Sequence, residues 1–183
     1  MGIQIDDATG TGQGAGISPT GNRLNVSSRA DERIYYVSRD NGDSYTWSSG
    51  TYSATGDDTI FIIENTSTTQ KLYISSIEMG SVVKTRAIIH CPTASFTHSG
   101  TGVTGTNLNR ISGNVAAATA TRDEVNNVQG DIVWSGDIPI LGNPHVVNFH
   151  DSLILGQGDS VGIDYVTTSS AVEITVFGFF DVE

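Results

Sequence analysis

Four histidines and a single cysteine are the residues of this chain best suited to metal or nucleophilic chemistry. The histidines, His90, His98, His145 and His150, do not have the HExxH or helical i, i+4 spacing that zinc sites use. His145 and His150 are five residues apart, so a straight strand would point them to opposite faces. We therefore expect no zinc site. Cys91 has no second cysteine for an intrachain disulfide, and we interpret it as a small buried residue at a strand end.

Acidic turns and glycine-rich segments are the next candidates for ligand binding. Calcium prefers six to eight oxygen ligands from a shaped loop, and carboxylates cluster at residues 6–7, 40–43 and 57–58. None has EF-hand spacing, and DNGD at 40–43 is ordinary turn chemistry. The glycine-rich segments 10–16 and 100–105 do not connect a strand to a helix with a lysine, and no GxSxG occurs. The sequence therefore predicts no catalytic residue, no metal and no cofactor.

Two kinds of carbohydrate chemistry stay open at this level. A glycosidase-type pair of carboxylates has no mark that sequence can identify. Exposed aromatic side chains can stack on sugar rings, although aromatic residues in β-sandwiches more often belong to the core. The candidates for stacking are Tyr35, Tyr52, Tyr73 and Trp134.

The charge of the chain limits its partners. The net charge is −11 over 183 residues, with nine scattered Lys and Arg. Phosphate backbones and anionic membranes attract clustered basic residues, so we expect neither nucleic acid nor membrane as a partner. Four arginines do occur in one early stretch, either as a solvated or inter-subunit face or as a small anion-contact patch: Arg23, Arg29, Arg33 and Arg39. The N-terminus lacks a basic and apolar leader, which predicts synthesis in a cytoplasm.

The elements that would position these residues are strands. Val, Ile, Thr, Tyr and Phe fill the apolar runs, and no window keeps a 3.6-residue period. About nine or ten strands follow one another, which predicts an all-β, jelly-roll-like antiparallel β-sandwich over residues 23–183. Residues 1–22 are rich in glycine and predict an extended arm that is either disordered or ordered by lying on a partner. The apolar anchors Ile3, Ile5 and Ile17 favour the second alternative.

Three segments carry specific expectations. Residues 33–39 and 44–48 predict a hairpin around Asn41-Gly42, with Tyr36 opposite Trp47. Residues 59–64 are almost continuously apolar and predict a strand that is dry on both faces. Residues 93–114 predict a long loop of the kind that is functional or ordered by a partner.

The last strand, near residues 171–179, alternates cleanly and then becomes apolar on both faces. Val172, Ile174 and Val176 form one face, whereas Phe177, Phe179 and Phe180 extend the apolar character to the other. An apolar second face needs a cover. We take the three phenylalanines as the candidate oligomer interface, with cover by an intrachain loop as the alternative.

The order of several short motifs resembles a known family of virion proteins. NRLNVSS at residues 22–28 precedes NGDSYTW, TIFIIENTS and LYISSI, and TGTNLNRISGN at 104–114 follows. LILGQGDSVGIDY at 153–165 and VEITVFGFF then close the chain. This order resembles the capsid decoration, or cement, proteins of tailed phages. The resemblance implies a virion structural protein that is a homotrimer on the outer capsid surface, binds the major capsid protein through its arm, and bridges capsomers.

Three other functions remain as alternatives to capsid decoration. A head-fibre, tail-fibre or baseplate domain would bind host glycans through exposed aromatics near a groove. A cellular carbohydrate-binding or TNF/C1q-like β-sandwich would normally carry a secretory signal. An enzyme would need a pocket with convergent polar groups and perturbed carboxylates.

Overall fold

The computed structural model describes residues 33–56, 58–92, 97–124, 130–140 and 144–181, without the side chains of Arg39 and Asp58. Ile3, Ile5, Ile17 and the predicted arm lie outside these residues. By backbone contacts the chain divides into Met1–Asp31 and Glu32–Glu183, and every described residue belongs to the second unit. Within the described residues, no helix is both long and apolar enough to cross a membrane.

Strands make up most of the described chain. A short helix, α1 (Arg33–Tyr36), runs into a π-helical turn at Val37–Asn41 before the first strand. The strands are β1 (Ser44–Ser48), β2 (Tyr52–Ala54), β3 (Asp58–Asn65), β4 (Lys71–Ser81), β5 (Thr85–Cys91), β6 (Thr101–Val103), β7 (Thr106–Asn107), β8 (Ala118–Arg122), β9 (Asp131–Ile138), β10 (His145–Leu155), β11 (Ser160–Tyr165) and β12 (Ser169–Asp181).

Two antiparallel sheets pack face to face in the order of a jelly roll. The first sheet contains β10-β4-β12-β1 and the second contains β3-β11-β5-β9. Consecutive members of these eight strands lie in opposite sheets, except for β5 and β9, as two nested Greek keys require. β7 extends the first sheet beside β1, β8 and β6 extend the second beside β3, and β2 pairs with β12. The all-β sandwich expected from the sequence is confirmed.

The core lies between the sheets and is built by alternating strand residues. Tyr45 and Trp47 on β1 point inward with ring centroids 5.8 Å apart, and Phe180 meets Tyr45 edge-on, also at 5.8 Å. β3 is buried on both faces, since Ile60 and Ile62 are as inaccessible as its inward-facing residues. The prediction of a doubly dry strand at residues 59–64 is therefore confirmed.

The predicted hairpin around Asn41-Gly42 is wrong. Residues 33–41 are helical, and Gly42, at φ +70°, closes the π-helical turn by donating its N–H to the Val37 carbonyl at 2.8 Å. A left-handed glycine terminates a helix as readily as it turns a hairpin. Tyr36 is exposed and does not face Trp47. The predicted long loop is also partly structured, because residues 93–114 include β6 and β7.

The outer face of β12 is covered by the chain itself. Phe179 is fully buried and stacks on Tyr73 with centroids 5.0 Å apart and planes 2° from parallel. Val37 and Ile34 pack over this pair, and the Arg33 guanidinium lies 4.7 Å from the Tyr73 ring centroid. Arg33 also donates to Asp181 at 2.8 Å, which fixes α1 against the sheet.

This cover corrects the predicted interface at two of its three residues. Phe179 lies under the helical segment, and Phe180 points into the core between the sheets. Neither ring is available to a partner while the chain is folded. For Phe179, the structure supports the alternative expectation, which was cover by a segment of the same chain. Phe177 is half-buried on the outer face, and an interface role for it stays a prediction.

Candidate interaction surface

The segment after β7 is held rigidly against the π-helical turn by asparagine side chains. The last carbonyls of a helical segment have no intrahelical partner. Here Asn109 Nδ2 donates to Ser38 O at 2.8 Å, and Asn107 Nδ2 donates to Gly42 O at 2.7 Å. Asn114 Nδ2 donates to Asn41 O at 3.1 Å and to Asp43 Oδ1 at 2.8 Å. The turn is capped and the segment is fixed by the same bonds.

The same segment is also ordered by local turns. Asn109 N donates to Asn107 Oδ1 at 2.8 Å, and Ile111 N donates to Asn109 Oδ1 at 3.2 Å. Such Asx turns replace backbone ladder bonds in a loop. Asn114 N donates to Ser112 Oγ at 3.1 Å in the same way. These bonds order residues 108–115 although Ile111 and Val115 remain almost fully exposed.

Those apolar side chains face solvent and form a surface that we call the loop patch, consisting of Leu108, Ile111 and Val115. Ile111 is 96% exposed and Val115 is 82% exposed. An apolar group held this far out by an ordered backbone does not contribute to the fold, and clustered exposure of this kind marks contact sites. Arg110 is the one charged residue in the segment, and it is exposed as well.

A second group of exposed apolar side chains, the edge patch, lies on and beside the two edge strands without sharing one face, and consists of Ile132, Val133, Ile140 and Val146. Ile132 is 65% exposed and Ile140 is 60% exposed. β9 and β10 are the outermost strands of their sheets on this side, and the Trp134 and His145 rings join them with centroids 5.1 Å apart. Open strand edges are natural docking sites unless they are blunted.

Both edge strands contain a break in their pairing. β10 contains a register shift between Asn148 and Leu153, where His150 and Asp151 have φ of +48° and +63°. Such a bulge interrupts the edge and disfavours pairing. β9 also has a register shift, between the pairs Ile89–Trp134 and His90–Ile132, and the exposed Val133 lies at this break.

A polar cluster on the outer face of the second sheet holds two loops in place. The Glu124 carboxylate, which is 1% exposed, accepts from Ser99 N at 2.9 Å, from Ser99 Oγ at 2.7 Å, and from the Thr121 hydroxyl. His98 lies beside it, with Nε2 3.1 Å from Glu64 Oε2 and Nδ1 3.0 Å from Thr121 Oγ1. These groups satisfy one another inside the protein.

A second histidine–carboxylate pair is buried under the same face. His90 Nε2 lies 3.0 Å from Asp164 Oδ1, and both side chains are almost inaccessible. Gly162 lets the imidazole lie flat on β11, since a Cβ there would sit 2.8 Å from His90 Cε1. His90 Nδ1 has no hydrogen-bond partner among the described residues. A general base must reach its substrate, so this pair is placed for packing.

The remaining chemical candidates are engaged in the fold. Burial, with a further effect of Asp159 and Asp131, raises the pKa of the Cys91 thiol, which disfavours the reactive thiolate. Tyr52 donates its hydroxyl to the Ile60 carbonyl, and Tyr73 is stacked under Phe179. Of the proposed sugar-stacking aromatics, Tyr35 remains exposed. No group of three or more His, Cys, Asp or Glu that could hold a metal ion occurs among the described residues.

One cleft of about 450 Å³ opens between the ends of β4 and β12. Glu78 and Glu173 contribute carboxylates, and Pro139 and Pro144 form an apolar wall. No aromatic residue is among the described residues that line it. The described lining therefore offers no aromatic ring on which a sugar could stack.

A scan against protein-family models finds no match, and searches of curated proteins and of solved structures find none. The strand order defines the architecture. The loop patch and the edge patch are the surface features that this architecture does not explain.

Replacing Asn109 with alanine should loosen the loop patch without unfolding the sandwich. The change removes the bond to Ser38 O and the acceptor of Ile111 N, each worth about 1 kcal/mol. We expect about 30-fold faster hydrogen exchange at the Ile111 amide, because local opening depends on local bonds and about 2 kcal/mol is lost. Asn148→Ala on exposed β10 is the matched control and should leave that amide unchanged. Equal exchange in all three proteins would show that other contacts order the loop.

Proposed function

We propose that this chain is a structural protein of a virion that decorates the outer capsid surface as a homotrimer and binds the major capsid protein. The loop patch carries the proposal, since an ordered loop that exposes Ile111 and Val115 suits binding to another protein. The resemblance of the sequence to tailed-phage decoration proteins implies the assembly that we propose, which is a homotrimer on the capsid surface.

The physical character of the domain supports a binding role. The His90–Asp164 pair is almost inaccessible and is therefore poorly placed to meet a substrate, and His98 is held by Glu64 and Thr121. A net charge of −11 keeps a protein soluble at high copy number and away from nucleic acid. Many copies on one particle would also gain from multivalency, so each contact can be modest.

Co-sedimentation with capsids tests the function and the part of the arm in it. The full chain should sediment with decoration-free capsids of the virus that encodes it, whereas a chain lacking residues 1–20 should fold but stay in the supernatant. We expect this result because Ile3, Ile5 and Ile17 are the apolar residues through which the arm would contact the capsid. Circular dichroism of both proteins is the folding control.

One outcome would contradict this function, and another would contradict the role of the arm in it. If the full chain fails to bind capsids and instead binds defined sugars on a glycan array, the fibre or baseplate alternative is correct. If the truncated chain binds as tightly as the full chain, the arm does not make the capsid contact.

A further inference from the structure

A short segment on the outer face of the second sheet is held there by side-chain hydrogen bonds. Residues 97–100, which we call the strap, lead directly into β6, the outermost strand of that sheet. His98 places Nε2 3.1 Å from Glu64 Oε2 on β3 and Nδ1 3.0 Å from Thr121 Oγ1 on β8. Ser99 donates its N–H and its hydroxyl to Glu124. His98 and Ser99 therefore join the strap to the sheet.

The hydrogen bonds around His98 determine how many protons its ring carries. The Thr121 hydroxyl donates its one hydrogen to Glu124, so its oxygen can only accept from Nδ1 of His98. The ionised carboxylate of Glu64 also only accepts, so Nε2 must donate as well. A neutral imidazole has a single N–H. The three contacts are satisfied together only when the His98 ring carries both hydrogens and a positive charge.

A neutral His98 ring must give up one of these contacts. If Nδ1 loses its hydrogen, it takes the hydrogen of Thr121, and Glu124 loses that donor. If Nε2 loses its hydrogen, its lone pair faces the lone pairs of Glu64. The side chains of His98 and Glu64 are 17% and 24% exposed, so water can replace a lost contact only in part. In either form the strap is held less firmly.

The charges that face His98 favour its protonated form. Glu64 lies on β3, and Glu124, whose Oε1 is 3.7 Å from Nδ1 of His98, follows β8. Arg122, the basic residue of β8, is engaged elsewhere, since its guanidinium donates to the Ser49 carbonyl. Two carboxylates beside one imidazole stabilise a positive charge on the ring.

The other titratable groups of this face have separate roles. Burial opposes the charge of Glu124, but hydrogen bonds from Thr121 and Ser99 hold its pKa below the ordinary value of 4.5. Glu124 therefore keeps its charge over the range in which histidines titrate. His90 and Asp164 lie on β5 and β11 and contact each other, with Nε2 3.0 Å from Oδ1.

We infer that the strap is a pH-responsive element, closed on the sheet while His98 is protonated and released when that proton is lost. The closed strap holds a proton that a free neutral histidine does not, so a rise in pH favours the open form. Histidine side chains ordinarily change charge between about pH 5 and pH 8. Because β6 follows the strap and pairs only with β8, its pairing loosens with the strap.

Hydrogen exchange at the Ser99 amide of the full chain measures the opening of the strap. The protection factor, corrected for the intrinsic pH dependence of exchange, should be at least ten-fold lower at about pH 8.5 than at about pH 5.5. Nitrogen NMR of the His98 ring should show the loss of one N–H over the same interval. Loss of that N–H with unchanged Ser99 protection would overturn the inference. Neither readout involves a capsid, so the result is independent of the proposed function.

Replacing Glu64 with glutamine separates protonation from a merely structural contact. The Gln side chain can donate an N–H to an unprotonated Nε2, so a neutral His98 ring then makes all three contacts. In Glu64→Gln the Ser99 amide should keep at about pH 8.5 the protection that it has at about pH 5.5. A Glu64→Gln strap that is loosened equally at both pH values, or that still opens as the pH rises, would contradict the role of the proton.

Two histidine variants assign the titrating group. His98→Gln cannot gain a proton, so its Ser99 protection should be the same at both pH values. His150→Asn is the matched control, since His150 is exposed on β10 and its φ of +48° suits asparagine. That variant should keep the wild-type pH dependence. A pH dependence that persists in His98→Gln, or disappears in His150→Asn, would place the titrating group elsewhere and overturn the assignment to His98.

Discussion

Replacing Phe179 with aspartate is expected to destabilise the folded chain by about 3 kcal/mol or more, rather than to release intact monomers from an oligomer. The ring is fully buried between Tyr73 and the helical segment. Truncating a buried phenylalanine costs about 3–5 kcal/mol by itself, and a buried carboxylate adds a desolvation cost. Arg33, whose guanidinium lies 5.7 Å from the ring centroid, offsets part of that cost.

Thermal unfolding measures this effect, and Phe177 supplies the matched control. In a domain of this size about 1 kcal/mol corresponds to 2–4 °C, so the midpoint for Phe179→Asp should fall by at least about 6 °C. Phe177 lies two residues earlier on the same face but is half-buried, and Phe177→Asp should cost about 1 kcal/mol or less. A Phe179→Asp protein with a wild-type midpoint and a lower mass would instead restore Phe179 as an interface residue.

The strands were predictable because their signal is local and repeated. The burial of β3 and β12 follows their residue patterns. β3 is a nearly continuous apolar run that is buried on both faces, and β12 alternates between buried and more exposed residues. The helical segment could not be predicted in the same way. Four residues of α1 are too few to show a period, and Ile34, Tyr35 and Val37 are typical of strands. Packing of Ile34 and Val37 over Tyr73 and Phe179 decides the conformation, which is a tertiary effect.

The candidate surface was only partly predictable for the same physical reason. The Gly- and Thr-rich composition of residues 93–114 indicated a functional loop, but not which of its side chains face solvent. That depends on Asn109 reaching Ser38 and Asn114 reaching Asn41, contacts that span about 70 residues of sequence. A local pattern carries no information on such pairs. The edge patch depends on sheet order, which places β9 and β10 together at one side.

Phe177, Phe179 and Phe180 show why apolar residues on both faces of a strand do not by themselves predict an interface. β12 is a central strand, paired with β4 on one side and β1 on the other. Because β1 lies beside β12, the segment that directly precedes β1 in the chain is close enough to cover the outer face of β12. α1 is that segment, and it does cover this face. The loop patch has no such cover among the described residues, and it is the better site for a partner.

Replacing Glu124 with alanine should lower the free energy of unfolding by about 3 kcal/mol at neutral pH. The carboxylate is the acceptor for Ser99 N, Ser99 Oγ and the Thr121 hydroxyl. Its removal takes away three hydrogen bonds to a charged group and leaves the hydroxyl of buried Thr121 without this acceptor. An orphaned buried donor costs about 1–3 kcal/mol. The loop that contains Ser99 should detach from the sheet, so urea unfolding and the exchange rate of the Ser99 amide both report the change. Glu173→Ala, at an exposed glutamate, should change stability by about 0.5 kcal/mol or less.

The pH dependence of this difference identifies the carboxylate as its cause. Burial alone would raise the pKa of Glu124, but hydrogen bonds from Thr121, Ser99 and the backbone N–H of Gly100 outweigh it and hold the pKa below its ordinary value of 4.5. The unfolded chain therefore binds the proton first as the pH falls. The stabilisation by Glu124 is complete above about pH 5 and declines as the pH drops through the folded pKa. The gap between wild type and Glu124→Ala should narrow in acid, whereas a gap that is constant from pH 7 to pH 3 would indicate lost packing alone.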